Sequence, residues 1–184
     1  MYGNMHAFKK LYEKGANLKE ICRFGFAETP LQAAIYYQQI EFIVFLLEHK
    51  ISPNEKDWTG KSALILACNT DNDQIIDLLL DKGAELEYSG YFGNTPLMNA
   101  VQYQHYISAE TLIKRKANIN FSSKYGETAL TLAIANNDYA MIKLLVESGA
   151  NPKIKYEGKN FVEYAQEKEA SPAVVQYLKN LLAK

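Results

Sequence analysis

The 184-residue sequence predicts an all-α fold in which pairs of short helices stack along one axis as a solenoid. Three observations predict it: a 33-residue period, an unbroken alanine column at one position of that period, and glycines where the second helix of a pair should end. A unit of this size cannot bury its own apolar faces. We therefore expect one domain of stacked helix-turn-helix units joined by hairpin-like loops.

The start of the first helix in each unit is marked by a side chain that can cap a helix. These markers recur every 33 residues as Thr29, Ser62, Thr95 and Thr128, and Asn160 follows after 32. Their oxygens can accept hydrogen bonds from backbone N–H groups that lack a partner within the helix. Thr29 and Thr95 also precede a proline, which is favoured at the first helical position.

Two apolar columns predict the core. Five residues past each marker lie Ala34, Ala67, Ala100, Ala133 and Ala165. Seventeen residues past it lie Leu46, Leu79, Leu112, Leu145 and Tyr177, each followed by a second apolar residue. The second helices therefore present a wide apolar face, which requires neighbours on two sides.

Glycines are expected to end the second helices and to form the loops between units. Gly83 and Gly149 stand where a left-handed residue commonly ends a helix, whereas Lys50 and Lys116 occupy the same position with slight strain. A turn glycine precedes each later helix start, at Gly60, Gly93, Gly126 and Gly158.

This register gives the domain organisation. A single domain spans residues 1–184, beginning with a partial unit over 1–23. Four full units follow at about 24–56, 57–89, 90–122 and 123–154, and a capping unit covers 155–184.

The segments TPLQAA at 29–34, TPLMNA at 95–100 and GANP at 149–152 closely resemble the ankyrin repeat. The likeness covers about Leu11 to Leu182, which is nearly the whole chain. The family's usual histidine after Thr-Pro-Leu is replaced by Gln32, Ile65, Met98 and Thr131, so its hydrogen bond between units should be absent or replaced. The resemblance implies a structural role for His105, in the loop between two helices.

Composition excludes several functional classes. With 20 Lys plus Arg and 21 Asp plus Glu, the net charge of −1 argues against nucleic-acid or membrane-surface binding. The longest strongly apolar stretch, 42–47, is too short to span a membrane. Cys22 and Cys68 cannot form a disulfide framework or a zinc site. The three histidines are scattered along the chain, so we expect no catalytic site, metal or cofactor. Because no secretory signal is visible, we expect a cytoplasmic location.

The resemblance implies that another protein is bound by the hairpin tips and the concave face of the first helices. Aromatic residues near the predicted turns support this expectation: Trp58, Tyr91, Phe92, Tyr125 and Tyr156. Candidate contacts at the ends of the first helices are Tyr36, Tyr37, Asn69 and Tyr103. The alternative is that such rings cover junctions between repeats, the packing role expected of Tyr12, Tyr106, Tyr139, Tyr164 and Tyr177.

The sequence therefore predicts a non-catalytic protein-binding module, expected to be a monomer when free. Small solitary ankyrin proteins resemble bacterial immunity proteins, which would make the partner a cognate toxin. The alternative is a bacterial effector or adaptor that engages host proteins. A different class, a small-molecule binder or enzyme, requires a pocket between repeats with a strongly shifted titratable group. A further alternative is self-association through the aromatic strip.

Overall fold

The computed structural model describes residues 10, 12, 14–15, 29–57, 59–90 and 93–183. Across residues 29–57, 59–90 and 93–183 the structure describes five helix pairs. Their first helices are α1 (Pro30–Tyr36), α3 (Ala63–Cys68), α5 (Pro96–Gln102), α7 (Ala129–Ala135) and α9 (Phe161–Glu167). Their second helices are α2 (Ile40–Glu48), α4 (Asp73–Asp81), α6 (Tyr106–Lys114), α8 (Tyr139–Glu147) and α10 (Pro172–Leu182). This arrangement confirms the all-helical fold.

The predicted markers begin all five first helices. The side chains of Thr29, Ser62, Thr95, Thr128 and Asn160 each accept a hydrogen bond from the backbone N–H three residues later. The caps at Thr29, Thr128 and Asn160 are reciprocal, because the side chain three residues on accepts from the cap's own N–H. The hydroxyl and amide residues of the repeat therefore set the helix starts.

The core runs along the stack between the two layers of helices. All five alanines of the predicted column are at most 2% exposed, and the leucines at 46, 79, 112 and 145 are fully buried. Each first helix packs against the first helix of the next unit, and α4 packs against α6. The solenoid architecture is thus confirmed.

The last unit corrects one position of the predicted core. Tyr177 is half-buried, and Leu178 is the fully buried residue of α10 at this level. The marker of this unit comes one residue early, but the connection from α9 to α10, 168–171, is one residue longer than that from α7 to α8. Leu178 therefore lies 33 residues after Leu145, and the register of the second helix is restored.

The strain expected at the lysines that replace glycine is present. Lys50 and Lys116 have φ values of 63° and 69°, in the same region as Gly83 at 86° and Gly149 at 104°. All four residues follow a second helix. The backbone conformation is therefore a property of the repeat, and the lysines adopt it without glycine's freedom.

Side chains also bond each unit to the next. Gln32 replaces the missing histidine link, because its Nε2–H donates to the Lys61 carbonyl at 2.8 Å. His105 has the structural role expected of it: its Nδ1 lies 2.8 Å from the carbonyl oxygen of Cys68. These bonds fix the hairpin-like loops and helix ends of neighbouring units relative to one another.

A second set of links was not predicted. Asn54 donates to the Gly83 carbonyl at 2.9 Å and accepts from the Glu85 N–H at 2.8 Å. Asn120 repeats this bridge two units later, with Gly149 and Asn151. The 66-residue spacing of the two asparagines was the available sequence signal. No helix in the described part of the chain combines the length and apolar character needed to cross a membrane.

Candidate functional site

One exposed surface is formed by the side of the first helices that faces away from the core. Positions four, seven and eight past the first four markers share this side, because an α-helix repeats every 3.6 residues. In the last unit the same positions are Tyr164, Glu167 and Lys168. We call the side over the first four pairs the first-helix face and define it by Ala33, Tyr36, Tyr37, Leu66, Asn69, Thr70, Asn99, Gln102, Tyr103, Leu132, Ala135 and Asn136. All twelve side chains are partly or largely exposed, and none is charged.

The second helices present a different surface. Their exposed residues include the charged side chains of Glu41, Glu48, Asp73, Asp81, Glu110, Lys114, Lys143 and Glu147. Several of these form ion pairs: Lys114 with Glu110, Lys143 with Glu147, and Arg115 with Asp81. Over the first four helix pairs the two sides of the solenoid therefore differ in charge, whereas the first helix of the last pair ends in the exposed charges of Glu167 and Lys168.

Four predicted contact residues lie together on the first-helix face. Tyr36 is 60% exposed, Tyr37 44% and Tyr103 55%. The rings of Tyr36 and Tyr37 contact each other edge-on, with centroids 4.9 Å apart. Asn69 belongs to the second unit, between the unit of Tyr36 and Tyr37 and the unit of Tyr103, and its side chain is partly exposed. Its Oδ1 atom is buried and has no hydrogen-bond partner among the described residues.

Exposure to solvent was expected of all five predicted loop aromatics, and the structure describes Tyr125 and Tyr156 among them. Tyr125 is 63% exposed, and the Lys124 Nζ lies 5.1 Å from its ring centroid. Trp58, Tyr91 and Phe92 lie outside the described residues. Of the predicted loop contacts, Tyr125 is thus the one for which the structure shows an accessible ring.

The structure corrects the expected placement of Tyr156. Its ring packs edge-on against buried Tyr164, with centroids 5.1 Å apart, and it contacts the core instead of projecting from a loop tip. Burial raises the pKa of the Tyr156 hydroxyl, with further contributions from the carboxylates of Glu127 and Glu157. We therefore assign Tyr156 to packing of the last unit.

The other tyrosines expected in packing contact neighbouring parts of the stack. Tyr12 lies edge-on to His49 at 4.7 Å, and Tyr139 lies edge-on to Tyr177 at 5.3 Å. Tyr106 donates its hydroxyl proton to Asp138 of the next unit. Tyr106 and Tyr139 are nevertheless about two-fifths exposed, on the second helices.

A cleft of about 290 Å³ opens between the second and third units. It is lined by Thr59, Gly60, Lys61, Ile65, Gly90, Asn94, Asn99, Gln102 and Tyr103. Three of these residues, Asn99, Gln102 and Tyr103, belong to the first-helix face. Sequence reasoning missed the cleft, because the only signal was a cluster of amide residues, which is also typical of solvated loops and helix ends.

One hydrogen bond joins two lining side chains, and others tie the lining to its surroundings: the Thr59 and Lys61 N–H groups donate to Asp57 Oδ1, and the Gly60 carbonyl accepts from the Tyr88 hydroxyl. The Asn94 Nδ2–H donates to the Gln102 Oε1 at 3.0 Å, while the Asn94 Oδ1 is buried and has no partner among the described residues. Among the described lining residues, Lys61 is the one that carries a charge. The lining therefore offers mainly amide and hydroxyl groups.

Titratable groups with shifted pKa values lie away from this cleft. Burial raises the pKa of the Cys68 thiol, which is therefore a poor nucleophile. Burial, followed by the hydrogen bond to Asp138, raises the pKa of Tyr106 to about 12. Among the described residues, no group of three His, Cys, Asp or Glu side chains is placed to hold a metal ion.

Comparison with known proteins identifies the family. A family model described as ankyrin repeats (3 copies) matches residues 1–90, 85–156 and 108–181. The crystal structure of the ankyrin repeat domain of Bcl-3, a member of the IkappaB protein family, superposes with a TM-score of 0.83. The two chains are 26% identical, and the superposition covers 95% of this chain and 78% of the Bcl-3 chain.

Two curated relatives match over shorter segments. Human transient receptor potential cation channel subfamily A member 1 is 33% identical over 97 residues, which are 52% of this chain and 8% of the channel. An ankyrin repeat protein of Borreliella burgdorferi is 30% identical over 84 residues, 46% of this chain and 38% of that protein. The chain thus spans less than half the length of these relatives. It belongs to the ankyrin repeat family, whose fold is a protein–protein interaction module and typically a non-enzymatic scaffold.

Proposed function

We propose that the chain binds a partner protein through the first-helix face and the adjoining hairpin-like loops. The contact residues are Tyr36, Tyr37, Asn69 and Tyr103 on the face and Tyr125 in a loop, with Trp58, Tyr91 and Phe92 as proposed loop contacts. Binding acts by covering a surface of the partner or by holding it in place, because the proposal assigns no chemical step to the chain.

The observation that carries this proposal is the exposure of three tyrosines on an uncharged face. Large apolar surfaces are rarely left open to water on soluble monomers unless they bind something. Tyrosine is enriched at binding hot spots because its ring buries much area with few rotatable bonds and its hydroxyl can form a hydrogen bond. The edge-on pair of Tyr36 and Tyr37 is held before binding, which lowers the entropy cost of association.

The identity of the partner is the finer part of the proposal. We propose a cognate toxin, in keeping with the resemblance to small immunity proteins; a host protein bound by an effector or adaptor is the alternative. Co-expression separates the two, because an immunity protein restores growth to cells that express its toxin. An effector has no such effect and instead retains a protein from host-cell extract.

The binding proposal is tested by affinity capture with the full chain as bait. Tyr36→Ala and Tyr103→Ala should each weaken partner binding by about 2 kcal/mol or more, while the melting temperature stays nearly unchanged. Ile107→Ala is the matched control, because Ile107 is a large apolar residue, 50% exposed, on the second helix α6. A partner retained equally by both tyrosine variants would refute the assignment of this face.

A further inference from the structure

We propose that the partner protein places an acidic side chain, Asp or Glu, in the cleft between the second and third units, where Lys61 and unused donors of the lining bind its carboxylate. This inference rests on the proposed function and adds the chemistry of one contact. Three observations carry it: a half-buried cation without an ion pair, a lining whose open groups are mainly donors, and the continuity of the cleft with the first-helix face.

Lys61 is a half-buried cation in a concave part of the surface. Among the described residues it forms no ion pair. Asp57, four residues before it, holds the turn instead: its Oδ1 accepts the Thr59 N–H at 2.8 Å, the Thr59 hydroxyl at 2.7 Å and the Lys61 N–H at 2.9 Å. A cation that loses water without gaining an opposite charge is costly, so an anion is favoured here more than at a fully exposed lysine.

The open hydrogen-bonding groups of the lining are mainly donors. Asn94 donates to the Gln102 Oε1 at 3.0 Å, which leaves the Nε2–H group of this exposed glutamine without a partner among the described residues. The Lys61 ammonium and the Tyr103 hydroxyl add further donors. Asn99 is the exception: its Nδ2–H donates to a backbone carbonyl, and its Oδ1 remains an acceptor. A carboxylate only accepts hydrogen bonds, and it therefore matches this lining better than an amide or a cation does.

The cleft and the first-helix face form one continuous surface, because Asn99, Gln102 and Tyr103 belong to both. The cleft volume of about 290 Å³ lies at the lower end of the range for ligand pockets, so it has room for a single side chain. A partner that covers the tyrosines can therefore reach Lys61 with one residue. The donors around that residue offset the water that its carboxylate loses on entry.

The test uses the full chain and a library of random peptides displayed on phage. Selected peptides should be enriched in Asp or Glu relative to the unselected library. Synthetic copies should bind at least about threefold more weakly at about 0.5 M than at about 0.05 M NaCl, because salt screens the attraction. Replacement of the enriched acid by its amide should weaken binding about tenfold. Selection of no sequence, or of sequences without acidic enrichment, overturns the proposal.

Point variants locate the carboxylate at Lys61. Lys61→Met should weaken the acidic peptides about tenfold, and Lys61→Arg should retain most of the binding, because it keeps the charge. Both variants should fold, since the hydrogen bonds of Lys61 to Asp57 and Gln32 use its backbone atoms. Lys179→Met, at an exposed lysine of the second helix α10, is the matched control and should leave binding unchanged. Equal binding by Lys61→Met and wild type overturns the proposal.

Charge reversal gives a positive form of the same test. Lys61→Glu should bind the acidic peptides more weakly than Lys61→Met does, and it should regain binding when the enriched acid of the peptide is changed to Lys. Inorganic phosphate, compared with NaCl at equal ionic strength, should displace the acidic peptides no better than the chloride. Displacement by phosphate at least about tenfold better would show a phosphate site and overturn the proposal.

Two outcomes with a captured partner separate this inference from the proposed function. If the partner is lost with Tyr36→Ala and Tyr103→Ala but retained equally by Lys61→Met and wild type, the proposed function stands and the inference alone fails. If the tyrosine variants and Lys61→Met all retain the partner normally, both fail.

Discussion

At the scale of single residues, the hydroxyls of partly exposed Tyr106 and buried Tyr164 both lie near negative charge. Tyr106 donates to the Asp138 carboxylate, which also accepts the Met141 N–H at 3.0 Å and so caps α8. Burial is the main cause that raises the pKa of Tyr164 to about 12, with Tyr156 and neighbouring carboxylates adding to it. Ionisation of either hydroxyl is therefore opposed by the folded state.

These shifts predict a loss of stability at alkaline pH. An unfolded tyrosine has a pKa near 10, so between pH 10 and about 12 the unfolded state releases protons that folded Tyr106 and Tyr164 still hold. The free energy of unfolding should be unaffected by these groups below pH 10 and fall as pH rises toward 12. Urea titrations over this range measure it. Tyr106→Phe should flatten the slope, whereas Tyr125→Phe should keep it; equal slopes in all three proteins would contradict the assignment.

Glu87 stands where the bridging asparagines stand in the units before and after. Its Oε1 accepts the Asn118 N–H at 2.7 Å, but its Oε2 is buried without a partner among the described residues. A carboxylate cannot donate, so Glu87 cannot form the second half of the bridge that Asn54 makes to the Gly83 carbonyl. This junction is therefore less well bonded than its neighbours.

Glu87→Gln should stabilise the protein. The carboxamide keeps the acceptor for Asn118 and replaces the unpartnered Oε2 with the missing donor, for an expected gain of about 0.5–1.5 kcal/mol in the free energy of unfolding. Chemical denaturation measures the gain. Glu85→Gln, at an exposed side chain in the same loop, is the control and should change little. A Glu87→Gln protein no more stable than wild type would show that the second oxygen is satisfied in solution.

At the scale of elements, the ends of the helices are where the repeat conflicts with its sequence. Positive φ values occur at Lys50 and Lys116 after second helices, and also after the first helices at Gln38, Asp71, Gln104, Asn137 and Glu169. Lys116 follows α6 in a left-handed conformation that costs an ordinary residue about 1–2 kcal/mol. Lys116→Gly removes this cost but raises the entropy of the unfolded chain, so a net gain of about 0.5–1 kcal/mol is expected. The reverse change is its control: Gly83→Ala, with no atom within 4 Å of the added Cβ, should destabilise through the backbone alone. The melting temperatures of both variants test this expectation. A Gly83→Ala protein more stable than wild type would contradict the claim that a non-glycine residue is strained at this position.

The helix starts and stops were predictable because single residues determine them locally. Thr29 caps α1 and Lys50 ends α2 in the expected conformations without reference to the rest of the fold. The shift in the last unit also had a local signal, because Ser171 caps α10 and Pro172 follows it, but the core position was predicted by counting from Asn160. The cleft was not predictable: it depends on how closely Gly60 and Gly90 approach, and their distance is set by packing between units.

At the scale of the whole molecule, charge is divided between the two sides of the array over the first four helix pairs, and the last pair departs from this division at Glu167 and Lys168. The period alone identified the first-helix face and placed Tyr36, Tyr37 and Tyr103 on it. The neutrality of that face could be read from the sequence only once positions four, seven and eight were known to be exposed together. Periodicity therefore locates a surface, whereas its chemistry becomes visible after burial separates the exposed positions from the core.

Stability along the array should be shared between nearest neighbours. Leu79 in α4 and Leu178 in α10 occupy equivalent positions and are both fully buried, but Leu79 lies within the stack and Leu178 in its last unit. Either leucine-to-alanine change leaves a cavity that costs about 2–5 kcal/mol. The part of the chain that loses stability should depend on which unit contains the cavity.

Two probes test this dependence. Hydrogen exchange of the backbone amides of α3 and α4, followed against denaturant, reports on the second unit, whereas far-UV circular dichroism reports on all the helices. Leu79→Ala should lower the denaturation midpoint of both signals together. Leu178→Ala should lower the circular dichroism midpoint while the exchange midpoint of α3 and α4 stays near that of wild type, because the last unit can unfold by itself. Equal shifts of both signals in both variants would mean that the five helix pairs unfold as one cooperative unit.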